Sequence, residues 1–100
     1  DGKTSGIIVY IKKNSKINYY DPSGEKLEFT NLKNVKFCKN IASACFNADL
    51  IILHTEWNDF KFLNFKKLVK KKNFKIFDMR NLYSPLKMKK SNIKYFGIGR

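Results

Sequence analysis

Apolar residues recur along this chain in short bursts, and the spacing inside each burst predicts an element. Ile7, Ile8 and Ile11 fall at helical spacing with Lys12 and Lys13 opposite and Asn14 at the end, which predicts a short amphipathic helix. Lys16-Ile17-Asn18-Tyr19-Tyr20 predicts a strand, stopped by the turn residues Asp21-Pro22-Ser23-Gly24. A polar loop is expected to Asn34, with one extended piece at Leu27 to Phe29, and then a brief strand over Val35 to Cys38. Helical spacing returns at Ile41, Ala44, Cys45 and Ala48, with Asn40 placed to cap the start. Leu50 to His54 is a continuous apolar run, the pattern of a strand buried on both faces. Asn64 precedes a second amphipathic helix, Phe65, Leu68 and Val69 inside and Lys66, Lys67, Lys70 and Lys71 outside. Phe74 to Phe77 predicts a strand, Pro85 the first turn of a helix running to Ser91, and Tyr95 to Ile98 a last strand.

Helices alternating with short apolar strands imply parallel crossovers. The expected fold class is α/β, a three-layer Rossmann-like sandwich with a mostly parallel sheet. One hundred residues suffice for a single core, so residues 1–100 are expected to form one domain. A composition 43% hydrophobic and 15% aromatic lies far from that of disordered chains. No apolar stretch, Leu50 to Leu53 included, comes near the roughly twenty residues of a membrane span. A secretory leader pattern is missing too, and the start at Asp1 rather than Met suggests a piece of a longer protein. Cys38 and Cys45 lack a second pair for zinc, and reduced thiols in a cytoplasmic protein are the expectation.

The net charge of +13 suggests a polyanionic partner. Nineteen of the 21 cations are Lys, however, and abundant Asn beside them points to a compositional bias and a solvated surface. Phosphate readers lean on Arg, whose planar fork matches phosphate oxygens. A small basic nucleic-acid-binding module is therefore the alternative function, and no RNP1-like or zinc-finger pattern supports it.

Candidate chemistry is sparse. A P-loop, a GxSxG elbow and an HExxH pair are all missing, and the lone His54 cannot build a triad or a histidine metal site. No catalytic residue and no metal site is assigned. The only GxG, Gly97-Ile98-Gly99, stands where the chain ends, with no helix behind it to present amides to a pyrophosphate. Phe77-Asp78-Met79-Arg80-Asn81 is more informative: an acid, an Arg and an Asn come directly after a strand, where a doubly wound sheet opens its crevice. Arg80 there is either a diphosphate or carboxylate clamp or half of a surface turn pair with Asp78. Thr55, Glu56 and Trp57 crowd the end of the preceding strand, either packing over the sheet edge or forming one wall of that crevice. No spacing among Glu56, Asp59 and Asp78 supports acid and base roles.

Four stretches together carry a resemblance: Tyr20-Asp21-Pro22, then Ala48-Asp49-Leu50-Ile51-Ile52-Leu53-His54-Thr55-Glu56-Trp57-Asn58-Asp59-Phe60, then Phe77-Asp78-Met79-Arg80-Asn81-Leu82-Tyr83 with Pro85 and Met88, and Tyr95-Phe96-Gly97-Ile98-Gly99-Arg100. In order and spacing, from about Ile8 onward, the chain resembles the C-terminal, UDP-binding domain of the UDP-glucose/GDP-mannose dehydrogenase family. The resemblance implies part of an NAD-dependent enzyme that oxidises a nucleotide sugar, UDP-glucose above all, to the uronate in two steps. It implies NAD in the full-length enzyme, none bound by this chain alone, and a catalytic cysteine and lysine lying upstream. Its implied partners are a UDP-sugar and the upstream NAD-binding and central domains, with no membrane, and with nucleic acid disfavoured. Carried over by position, Arg80 is the substrate-contacting residue of the Asp-x-Arg-Asn motif, and Asp78 and Asn81 orient it. Thr55, Glu56 and Trp57 are supporting positions. Met79 stands where many members have Gly, and Lys3 stands where an Arg approaches NAD, a role not transferred here.

Overall fold

The computed structural model describes residues 6–55 and 60–100. Six strands form one sheet: β1 Ile7–Ile11, β2 Lys16–Tyr20, β3 Val35–Phe37, β4 Leu50–Leu53, β5 Lys75–Asp78 and β6 Lys94–Gly97, in the order β3-β2-β1-β4-β5-β6. The helices are α1 Ile41–Cys45, α2 Phe65–Val69 and α3 Pro85–Lys90. The chain folds as a Rossmann-like α/β sandwich with a mostly parallel sheet: β2 with β3, β4 with β5 and β5 with β6 are parallel.

Helix starts obey local chemistry. Asn40 Oδ1 accepts from the Ser43 amide at 2.8 Å, Asn64 Oδ1 from Lys67 at 3.3 Å, and Ser84 Oγ from Lys87 at 3.3 Å, each side chain satisfying an orphan donor of a first turn. Pro85 occupies the first turn of α3, where its missing N–H costs nothing.

The first burst is the main correction. Ile7–Ile11 is a strand, antiparallel to both β2 and β4, and not the helix its spacing suggests. Ile-Ile-Val-Tyr-Ile is β-branched and aromatic throughout, and here two strand edges compete for its backbone. As a strand it hydrogen-bonds on both sides, which a five-residue helix could not match. The link to β2 is a 3-10 turn over Lys12–Asn14 closed by Ser15 in the left-handed region. Leu27–Phe29, expected to be extended, is also a 3-10 turn.

Strand alternation sorts the sheet into two faces. Ile7, Val9, Ile51, Leu53 and Ile76 point to the helix side, where they are buried together with Ala44, Cys45, Phe60, Phe65, Val69 and Met88. On the other side the register aligns Tyr19, Ile8, Ile52, Phe77 and Phe96 in one apolar row across five strands. Phe29 packs edge-on against Tyr19 at 5.3 Å between ring centroids, so the 3-10 turn covers that end of the row. Phe77 and Phe96, at the other end, are 37% and 53% exposed. β4 is accordingly buried only at alternate positions, Ile51 and Leu53, and not on both faces.

Candidate functional site

Because β4, β5 and β6 are parallel and in register, Leu53, Asp78 and Gly97 are neighbours, and the residues just past each of them gather at one edge of the sheet. His54 and Thr55, then Met79, Arg80 and Asn81, then Ile98, Gly99 and Arg100 meet there. The Met79 amide donates to the Leu53 carbonyl at 3.0 Å, extending the ladder by one bond past the strand ends. C-terminal strand edges of this kind are where open α/β sheets hold ligands.

Asp78 organises the edge. Its side chain is wholly buried, so it is no surface partner in a turn. Oδ1 accepts from the Arg80 amide at 3.0 Å, and Oδ2 accepts from the amides of Leu82 at 2.7 Å and Tyr83 at 3.1 Å and from the Tyr95 hydroxyl at 2.6 Å. Both oxygens are thus committed to holding the loop from Arg80 to Tyr83 in one shape. Burial, and then the hydrogen bond to the Asp78 carboxylate, push the Tyr95 phenol up to about 12, so it is the proton donor in this pair at neutral pH.

Asn81 adopts the left-handed conformation, φ 53°, which Asn tolerates better than most side chains. Its amide pairs with the backbone of Ile98 in both directions: Nδ2 donates to the carbonyl at 3.1 Å and Oδ1 accepts from the N–H at 2.9 Å. The loop after β5 is thereby fastened to the end of β6. This fit requires a glycine, since a Cβ on Gly97 would stand 2.6 Å from Asn81 Oδ1 and 2.9 Å from Arg100 Cδ. Arg100 adds a third tie, donating from Nη1 to the Tyr83 carbonyl at 2.7 Å. The two arginines of the chain therefore lie at the same edge, Arg80 exposed in the loop and Arg100 across it.

Of the residues singled out from sequence, Asp78, Arg80, Asn81 and Thr55 come to this edge, Thr55 half-buried just past β4. Glu56, Trp57 and Asp59 lie outside the described residues. Tyr95, Gly97 and Arg100 were not assigned to the site by sequence reasoning. The signal available for Tyr95 was a lone hydroxyl on the inward position of the last strand, the register partner of buried Ile76. At the end of β2, Asp21 serves its own turn, accepting from the Ser23 amide at 2.9 Å and pairing with Lys26 at 3.3 Å.

The cysteines stand apart from this edge. Both are free and buried, and burial pushes the Cys45 thiol up to about 12 and raises Cys38 as well, so neither has the low pKa of a nucleophile. Among the described residues no group of His, Cys, Asp or Glu could hold a metal ion, and no helix is long and apolar enough to cross a membrane.

Residues 4–85 match the UDP binding domain of the UDP-glucose/GDP-mannose dehydrogenase family. Similar proteins include the UDP-glucose 6-dehydrogenases of Rickettsia felis, 32% identical over 93% of this chain, Rickettsia prowazekii, 31% identical over 93%, and Rhizobium meliloti, 29% identical over 86%. The chain spans 21%, 22% and 20% of those proteins respectively, about a fifth of each. A family match over most of the chain, with the Asp78 to Asn81 loop inside it, shows that this protein belongs to the UDP-glucose/GDP-mannose dehydrogenase family and carries its UDP binding domain.

Proposed function

We propose that this chain is the substrate-binding, C-terminal domain of an NAD-dependent UDP-glucose 6-dehydrogenase, which oxidises UDP-glucose to UDP-glucuronate. In this reading it binds the nucleotide sugar and contributes no catalytic group. One observation carries it: a buried carboxylate spends both oxygens on fixing the loop that presents Arg80 at the C-terminal edge of the sheet. A preorganised loop lets the guanidinium donate charge-assisted hydrogen bonds to a diphosphate without first ordering the backbone beneath it. Asn81 holds the same loop from the β6 side. Thr55, just past β4, lies at the same edge, and Glu56 and Trp57 are supporting positions by the family resemblance alone. The names of the similar dehydrogenases support UDP-glucose as the sugar nucleotide.

NAD belongs to the hydride-transfer chemistry of such an enzyme. β1 runs through a 3-10 turn directly into β2, so the first strand does not lead through a glycine-rich turn into a helix whose amides face a pyrophosphate. NAD binding and the catalytic cysteine and lysine are assigned to the upstream domains of the same enzyme, which this domain closes over the substrate.

The test is NMR titration of the labelled chain with UDP, with GDP and with a short single-stranded oligonucleotide, at low and high salt. Saturable UDP shifts around Arg80 and Thr55 that persist at high salt and vanish in Arg80→Ala are expected. Shifts spread over lysines and abolished by salt would replace this reading with the basic nucleic-acid-binding module.

A further inference from the structure

We propose that a second, anion-binding site, built for a hydroxyl-bearing phosphate such as a phosphorylated sugar, lies on the helix side of β2 and β3. It is independent of the Arg80 edge, since Lys16 opens β2 and so marks the other end of a strand that runs parallel to β5. A cavity of about 770 Å³ opens there, bordered by Lys13, Lys16, Lys36 and Lys71 and by the polar side chains of Asn18 and Ser43.

Strand geometry explains how the pieces meet. Lys16 and Asn18 are alternate residues of β2, and Asn18 is the register partner of both core-facing Val9 and of Lys36, so all three side chains leave the sheet on the same side. α1 stands over this side and contributes Ser43 to the rim. The charge is one-sided. Among the described residues no carboxylate borders the cavity, and Lys13, Lys16 and Lys36 have no ion-pair partner. Only Lys71 is compensated, by Asp49 at 2.6 Å.

A ring of lysines on a lysine-rich surface would mean little alone. The second observation is Asn18, whose residue is 6% exposed and whose Oδ1 has no hydrogen-bond donor among the described residues. The large majority of buried side-chain polar atoms have a hydrogen-bond partner, and leaving one without a donor is costly. Asn18 borders the cationic cavity, and its unpaired acceptor asks for a ligand with two functions, an anion for the ammonium groups and an O–H for the amide oxygen. Inorganic phosphate as the dianion satisfies the first, but its one proton sits on the same small group that the ammonium groups hold. A sugar phosphate satisfies both, and its ring can rest on Ile11 and Phe46, which also border the cavity.

The experiment titrates the isotope-labelled chain with glucose 1-phosphate, with inorganic phosphate and with glucose, at low and high salt. Saturable glucose 1-phosphate shifts are expected at the Asn18 side-chain amide and at the backbone of Lys16 and Lys36, with inorganic phosphate at least about tenfold weaker and glucose silent. Lys16→Gln, at a half-buried position, with Lys36→Gln, at an exposed one, should weaken binding by at least about tenfold. Asn18→Leu should erase the preference over inorganic phosphate, and Arg80→Ala should leave the binding unchanged, which separates this site from the proposed UDP site. Equal affinity for both phosphates in the unaltered chain, shifts dispersed over all lysines, or no saturation would each overturn the proposal. Should Asn18→Leu not fold, the lysine pair and the comparison of ligands still decide it.

Discussion

The Tyr95 hydroxyl donates a 2.6 Å hydrogen bond to Oδ2 of Asp78, joining residues seventeen positions apart across two parallel strands. Three backbone amides share the same carboxylate, so one buried acid determines the shape of the loop that carries Arg80. Loss of either partner should therefore be felt in stability and in ligand binding together.

Asp78→Ala removes the acceptor for four donors at a fully buried position. We expect a loss of about 3 kcal/mol, because donors left unsatisfied in the interior cost more than the net worth of the bonds they made. Urea denaturation should show a lower midpoint with an unchanged slope, and UDP affinity should fall although the side chain is wholly buried.

Tyr95→Phe keeps the ring and deletes one donor, and about 1–2 kcal/mol is expected. Its pH dependence is the sharper test. The folded phenol titrates at about 12, above its ordinary value of 10, so its contribution is whole below pH 10 and is lost as the pH rises toward 12. Urea midpoints measured across that window should fall more steeply in the unaltered protein than in Tyr95→Phe. Parallel curves would remove Tyr95 from the linkage.

Gly97→Ala should displace Asn81, whose Oδ1 a new Cβ would meet at 2.6 Å. Destabilisation of about 1–3 kcal/mol is expected from overpacking. The Ile98 amide should lose hydrogen-exchange protection first, since its acceptor is Asn81 Oδ1. Protection unchanged at Ile98 would show that the loop and β6 are not coupled through this pair.

Cys45 is fully buried with a thiol raised to about 12, and Cys38 is buried and raised in the same direction. At pH 8 alkylation of both should be more than about a hundredfold slower in the folded chain than in concentrated urea, because reaction must wait for opening. Rapid modification of the native protein would contradict a structural role for these thiols.

Most of the element list was legible in the sequence because it rests on local chemistry: Asn40 caps a helix, Asn64 precedes one, Pro85 enters one, and Asp21 to Gly24 turns the chain after β2. The loop with Arg80 was legible for a related reason, since an Arg retained among lysines directly after an apolar strand is visible without any partner. Ile7–Ile11 was not, because helical spacing in five residues is weaker than the demand of two strand edges, and only the folded sheet makes that demand. Nor was the pairing of Asp78 with Tyr95, or of Asn81 with Gly97 and Ile98. Strand order and register bring those residues together from positions sixteen or seventeen apart, and local sequence has no means of expressing a contact that exists only once parallel strands lie side by side.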